Sequence, residues 1–159
     1  MDLLKYSPVL SKDQGGCRFL QKYLVKAHQE GDNQLFDHIF DCTVTLEKCW
    51  ELMNDSFGNY LVQKICEICR DEQLTRVIES MGFDPLQLCK NSHGTRSVQK
   101  LIETARLPEH FSMIQLYLKK LLRDMSEDIN GNHVIQKILQ CWDSKQNQFI
   151  YDEMCVKNV

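Results

Sequence analysis

A short pattern occurs four times in this 159-residue chain, and its fixed internal register confines the fold to a stack of like units. The copies are DQGGCRFLQK (Asp13 to Lys22), DSFGNYLVQK (Asp55 to Lys64), NSHGTRSVQK (Asn91 to Lys100) and DINGNHVIQK (Asp128 to Lys137). Each opens on Asp or Asn, carries glycine at one offset and closes on Gln-Lys. From Cys17 to Asn59, Thr95 and Asn132 the intervals are 42, 36 and 37 residues. The unit is therefore about 36 residues long, with extra length assigned to AHQEGDNQ, residues 27–34.

Helical writing flanks every copy, for example LEKCWELM before the second, LVQKICEIC within it and DEQLTRVIESM after it. Three short helices per unit follow. Asp13, Asp55, Asn91 and Asp128 are placed to accept hydrogen bonds from the free amides at a helix head. Gly16, Gly58, Gly94 and Gly131 each cost about 1 kcal/mol of helix propensity relative to alanine, and close backbone approach is the simplest reason to keep them. Phe19, Leu20 and Leu24, then Leu61, Val62 and Ile65, then Val134, Ile135, Ile138 and Leu139 form the expected buried face. The expected units are 2–43, 44–79, 80–116 and 117–152, with 153–159 a tail or a truncated next unit. MDLLKYSPVL supplies the first helix, and FIYDEMCVKNV reads as the start of a fifth unit.

Packing accounts for the apolar positions, as it would in a protein-binding solenoid. It does not account for the polar residues held in phase: Cys17, Arg18 and Gln21; Asn59, Tyr60 and Gln63; Thr95, Arg96 and Gln99; Asn132, His133 and Gln136. These fall at i, i+1 and i+4, so two polar groups share one helix face and a planar or cationic group flanks them. A nucleobase asks for edge-directed donors and acceptors plus a stacking surface, and Arg, Tyr, Arg and His can all stack. Four copies at constant phase point to single-stranded RNA.

Composition narrows this further. With 43% hydrophobic and 26% charged residues the chain reads as one ordinary soluble domain. A net charge of −3 and a pI near 5.9 argue against gripping nucleic acid by bulk electrostatics, so binding must come from local placement. Lys22, Lys64, Lys100 and Lys137 are open to two readings, positive charge near the RNA or a solvated helix flank. No run approaches the ~18 apolar residues of a membrane span and no secretory leader is present. Eight cysteines scattered through apolar helical contexts fit a reduced compartment, and the expected location is the cytoplasm. Cys66 and Cys69 form a single Cys-x-x-Cys inside a helix and read as core, so no metal or cofactor is expected. No nucleophile–base pair or phosphate loop exceeds chance spacing, which leaves no expected enzyme activity. His93 reads as a helix-entry residue and His133 as a stacker.

The Asp-x-x-Gly-Asn-Tyr/His-x-x-Gln-Lys pattern resembles the PUF (Pumilio) family over about residues 2–152, and GCRFLQK, FGNYLVQK, HGTRSVQK and NGNHVIQK are similar to its plant members. The resemblance implies an all-α, right-handed superhelical α-solenoid, a partial crescent with RNA antiparallel along its concave face. It also implies a reading rule in which Cys or Ser with Gln selects adenine, Asn with Gln uracil, and Ser with Glu guanine. Carried over, Cys17/Gln21 imply adenine, Asn59/Gln63 uracil, Thr95/Gln99 adenine and Asn132/Gln136 uracil, for a word 5′-UAUA-3′. Thr95 stands where the family has Cys or Ser, and its extra methyl either adds a base contact or obstructs one. The implied function is post-transcriptional regulation through the 3′ untranslated region of messenger RNA, with repressor or deadenylase complexes as partners. Uncapped ends favour self-association. The competing readings are a protein-binding scaffold and a vestigial truncated PUF protein with little RNA binding.

Overall fold

The computed structural model of the chain describes residues 9–155. The expected unit boundaries at 2–8 and at 156–159, and the first-helix role of Met1 to Pro8, lie outside the described residues. Residues that the pattern marks as one unit fold as short helices in succession. The chain runs α1 (Gln14–Glu30), α2 (Asn33–Thr43), α3 (Leu46–Asn54), α4 (Gly58–Ile68), α5 (Asp71–Met81), α6 (Pro85–Lys90), α7 (Gly94–Thr104), α8 (Pro108–Leu118), a 3-10 turn at Lys119–Leu121, α9 (Leu122–Ser126), α10 (Gly131–Cys141) and α11 (Ser144–Cys155). The motif helices α1, α4, α7 and α10 stack side by side in that order, while α5 and α8 pack together on the other side of the layer. The result is an all-helical solenoid.

Local chemistry sets the helix ends. Asp13 accepts from the Gly16 amide at 2.9 Å, Asp55 from Phe57 and Gly58 at 2.9 and 2.7 Å, Asn91 from His93 and Gly94 at 2.8 and 2.9 Å, and Asp128 from Asn130 and Gly131 at 2.9 and 2.8 Å. Only Asp13 is itself the residue next to its helix. In the other three copies the side chain reaches across a tight turn, and Phe57, His93 and Asn130 occupy the formal cap position. Pro85 and Pro108 sit at the first position of α6 and α8, where a missing N–H costs nothing.

The motif glycines are kept by close approach. A Cβ on Gly58 would stand 2.8 Å from Leu52 Cδ2 and 2.9 Å from the Leu52 carbonyl, and one on Gly131 would stand 2.9 Å from Met125 Cα and O. On Gly16 and Gly94 it would meet the Leu10 and Leu88 carbonyls closer still. These contacts press each motif helix onto the helix before it in its own unit.

The core runs unbroken through the stack, from Leu20 and Leu24 through Phe40, Leu52, Leu61, Ile65, Leu74 and Ile78 to Leu88 and Leu101 and on to Ile138. Each such side chain contributes about 1.5–3 kcal/mol by leaving water. Two residues of the expected buried face depart from it. Phe19 is half-buried, although its counterparts Leu61 and Val134 are sealed. Leu139 is 40% exposed, although its counterparts Cys66 and Ile102 are sealed. Both face an end of the described array, where no neighbouring unit covers them.

The extra length of the first interval is shared. Helix α1 has 17 residues where α4, α7 and α10 have 11. It stops at Gly31, whose φ of 69° is left-handed, with the Gly31 and Asp32 amides donating back to the last turn. Helix α3, with 9 residues against 6 in α6, takes up the rest. The third helix of the first unit closes at Thr43, on its expected boundary, and those of the other three close at Met81, Leu118 and Cys155, two or three residues past theirs. Residues 149–155 therefore continue the fourth unit's own α11 rather than beginning a fifth.

A candidate nucleic-acid interface

Each motif helix starts over its capped turn, so residues one, two and five positions after the glycine emerge from the first two turns on one side. All four expected triplets are built alike. The glutamine amide donates to the first residue in every copy: Gln21 Nε2 to Cys17 Sγ at 3.2 Å, Gln63 to Asn59 Oδ1 at 3.0 Å, Gln99 to Thr95 Oγ1 at 3.2 Å and Gln136 to Asn132 Oδ1 at 2.8 Å. That bond orients the amide and leaves Gln Oε1 and one N–H outside it.

The first residue of each triplet is occupied on its inner side. Cys17 donates to the Phe57 carbonyl at 3.0 Å and Thr95 to the Asn130 carbonyl at 3.1 Å, both in the next unit. Asn59 instead donates to the Asp55 and Ser56 carbonyls at 2.7 and 3.1 Å, and Asn132 to Asp128 and Ile129 at 2.7 and 2.9 Å, both within their own turn. Burial raises the Cys17 thiol above its ordinary pKa, against the opposing bond from Gln21. It is a neutral thiol at pH 7, a weak donor comparable in role to the Thr95 hydroxyl.

The i+1 residues stand out from this floor. Tyr60 is 48% exposed, and Arg18, Arg96 and His133 are exposed as well. Arg96 Nη1 donates to Tyr60 Oη at 3.3 Å, so successive flanking groups lie within reach of one another along the stack. Between the first two triplets they wall a cleft of about 470 Å³ lined by Cys17, Arg18, Gln21, Phe57 and Tyr60, with Gln14 and Ser56 at its rim. Polar groups converge on a floor with planar walls, which suits a flat ring with hydrogen-bonding edges.

Across the chain four segments match the Pumilio-family RNA binding repeat: residues 9–40, 48–81, 86–115 and 123–155. The chain belongs to the Pumilio family. It is 39% identical over 154 residues to pumilio homolog 7 of Arabidopsis thaliana, covering 95% of this chain and 23% of that protein. Among solved structures it is similar to the Puf4 RNA binding domain bound to a 3′ UTR recognition sequence of HO endonuclease RNA, with a TM-score of 0.81, 40% identity and coverage of 91% of this chain and 43% of that one. It is also similar to PUF-8 in complex with PBE-RNA, with a TM-score of 0.84, 27% identity and coverage of 99% and 44%. This Pumilio chain thus spans under a quarter of the curated relative and under half of either solved domain.

Two features of the Pumilio face were not readable from the motif. The carbonyls of Phe57 and Asn130 fasten Cys17 and Thr95 of the preceding units, and only their position just before the motif glycine hints at it. The lysines that follow the glutamines are mostly spoken for: Lys64 pairs with Glu67 at 2.8 Å, Glu67 with Lys100 at 3.2 Å, Lys100 with Glu103 at 3.1 Å and Glu103 with Lys137 at 2.8 Å. This ladder crosses three units and sets two carboxylates against three ammonium groups. The cysteines are free thiols. Burial pushes Cys49 and Cys89 up to about 12 and Cys69 to about 11, and pushes Cys66 up as well, consistent with core packing of the Cys66–Cys69 pair. No helix of the described residues is long and apolar enough to cross a membrane.

Proposed function

We propose that this chain is a sequence-specific single-stranded RNA-binding protein that acts on the translation and stability of messenger RNA through elements in the 3′ untranslated region. The observation that carries the reading is the glutamine-to-reader hydrogen bond, made four times in one register. It turns four separate helices into one row of equivalent base-edge receptors. The names of the similar solved domains, each bound to RNA, support the same ligand class.

The word we assign is 5′-UAUA-3′. Thr95 supports adenine at the third unit because its hydroxyl spends its hydrogen on the next unit's carbonyl, as the Cys17 thiol does. The two asparagines instead lock their amides into their own turns, which separates the adenine-type from the uracil-type readers. With four slots and about 1–3 kcal/mol per stacked base, offset by ordering the strand, affinity is expected on the order of micromolar. The chain carries no chemistry of its own in this role. It acts in the cytoplasm by bringing repressor or deadenylase complexes to the transcript.

Fluorescence anisotropy with labelled 5′-UAUA-3′ in a neutral flank, against 5′-UGUG-3′, tests the reading. Selective binding that disappears in Asn59→Ala/Gln63→Ala supports it. Equal binding to both RNAs, or none, refutes it and leaves the scaffold.

A further inference from the structure

The first unit differs from the second and third at one place beside its reader. Nine residues after the motif glycine, Glu67 and Glu103 hold the lysine ladder together, and Gln140 stands there in the fourth unit. In the first unit that position is Val25. Lys22 accordingly has no carboxylate partner among the described residues, and Lys26 reaches only Glu30, at 3.9 Å with both side chains exposed. The longer α1 then carries Gln29 into the same region.

These residues enclose a second cleft, of about 450 Å³, lined by Gln21, Lys22, Val25, Lys26, Gln29 and Lys64. Gln21 is shared with the cleft that holds the first reader, so the two cavities adjoin. The charged groups facing the second cleft are Lys22 and Lys26 from α1 and Lys64 from α4, with Glu67 tied to Lys64 and Lys100 behind it. On a chain of net charge −3, this is a local positive spot next to a base-reading residue.

We propose that this cleft is a phosphate subsite, in which Lys22, Lys26 and Gln29 hold a phosphodiester of the RNA strand whose base lies in the first slot. The proposal rests on the RNA-reading function above and adds a sequence-independent grip at one end of the row. The charge comes from Lys22, which has no carboxylate partner among the described residues, and from Lys26, whose exposed pair with Glu30 at 3.9 Å is loose; the Gln29 amide supplies a neutral donor, and Val25 stands where the second and third units carry a glutamate. Lysine binds phosphate as a point charge, so the subsite adds affinity without adding base preference.

The test is the salt dependence of binding, by anisotropy between about 50 and 200 mM salt. The probes are two labelled RNAs, one carrying UAUA and one carrying UGUG between cytidine flanks. Each lysine–phosphate contact contributes about 0.7 to the slope of log affinity against log salt for single strands. Lys22→Ala/Lys26→Ala is expected to lower the slope by about 1.4 and to weaken low-salt binding of both RNAs about tenfold. Lys145→Ala, a surface lysine of α11, is expected to change neither. Lys22→Glu alone should weaken binding further than Lys22→Ala, with a circular-dichroism melt matching wild type. If the double variant keeps the wild-type slope and affinity while preferring UAUA, the subsite is refuted and base reading stands. If wild type binds neither RNA, both proposals fail together.

Discussion

The first and third units solve one problem differently from the second and fourth. In units one and three the reader is a small hydroxyl or thiol that donates forward to the next unit, and the motif glycine presses hardest on the preceding carbonyl. In units two and four the reader is asparagine, which donates back into its own turn, and the glycine has a little more room. The same pattern of Asp/Asn, glycine and glutamine therefore carries two wirings. One ties the first residue of the triplet to the next unit, and the other keeps its bonds within its own turn. The wiring follows the side chain at that position: the Cys17 thiol and Thr95 hydroxyl reach the next unit, whereas the longer Asn59 and Asn132 carboxamides bond within their own turns.

The glycines offer the largest expected break in that comparison. Gly94→Ala must displace the Leu88 carbonyl and the Asn54 side chain, and should cost about 1–3 kcal/mol in urea denaturation. Gly131→Ala meets Met125 with more room and should cost measurably less. Equal losses would show that the closer approach in the odd unit has no energetic meaning. Converting one wiring to the other comes next. Thr95→Asn loses the bond to Asn130 and gains bonds within its own turn, for a net change of about 1 kcal/mol or less. It should also move the preferred word from 5′-UAUA-3′ to 5′-UUUA-3′ in competition binding, and an unchanged preference would separate wiring from base choice.

Acid sharpens the contrast between the third and fourth turns. The amides of Gly131 and Asn130 hold the Asp128 carboxyl below its ordinary pKa, whereas the third turn uses Asn91, which does not titrate. A carboxyl depressed in the folded state gives stability above its unfolded pKa that is lost as pH falls through the folded one. Asp128→Asn should therefore flatten the decline in melting temperature below about pH 4, and Asn91→Asp should steepen it. The smallest effect belongs to the lysine ladder. Glu67 is held below its ordinary pKa chiefly by Lys64 and then Lys100, despite partial burial, yet the pairs are exposed enough for solvent to screen them. Glu103→Gln should cost about 0.5 kcal/mol at low salt and nothing measurable at high salt.

Much of this was legible in the sequence because it depends on neighbours within one helix or turn. The bonds that Asp13, Asp55, Asn91 and Asp128 accept from the motif glycine amides, the need for those glycines and the pairing of Asn59 with Gln63 are all local relations at fixed offsets. Relations between units were not legible. Phe19 and Leu139 are apolar like the sealed Leu61 and Ile102 but lie in the first and last of the described units. The ladder from Lys64 to Lys137 needs glutamates one unit away to swing onto lysines that sequence spacing alone leaves facing water. Ser97, polar where the other units carry Phe19, Leu61 and Val134, donates to the Met53 carbonyl of the unit before it, a partner 44 positions distant.

The glutamine-to-reader bonds have an entropic consequence. A long amide side chain free in solvent samples many rotamers, and fixing one on binding costs about 0.5–1.5 kcal/mol. Gln21, Gln63, Gln99 and Gln136 are already held by their own helix neighbours before any ligand arrives, so that ordering was met during folding, when the helix itself formed. On the proposed function, the disorder still to be removed on association lies in the incoming strand and in the exposed flanking side chains Arg18, Tyr60, Arg96 and His133, and stiffening the strand by stacking it beforehand should gain affinity.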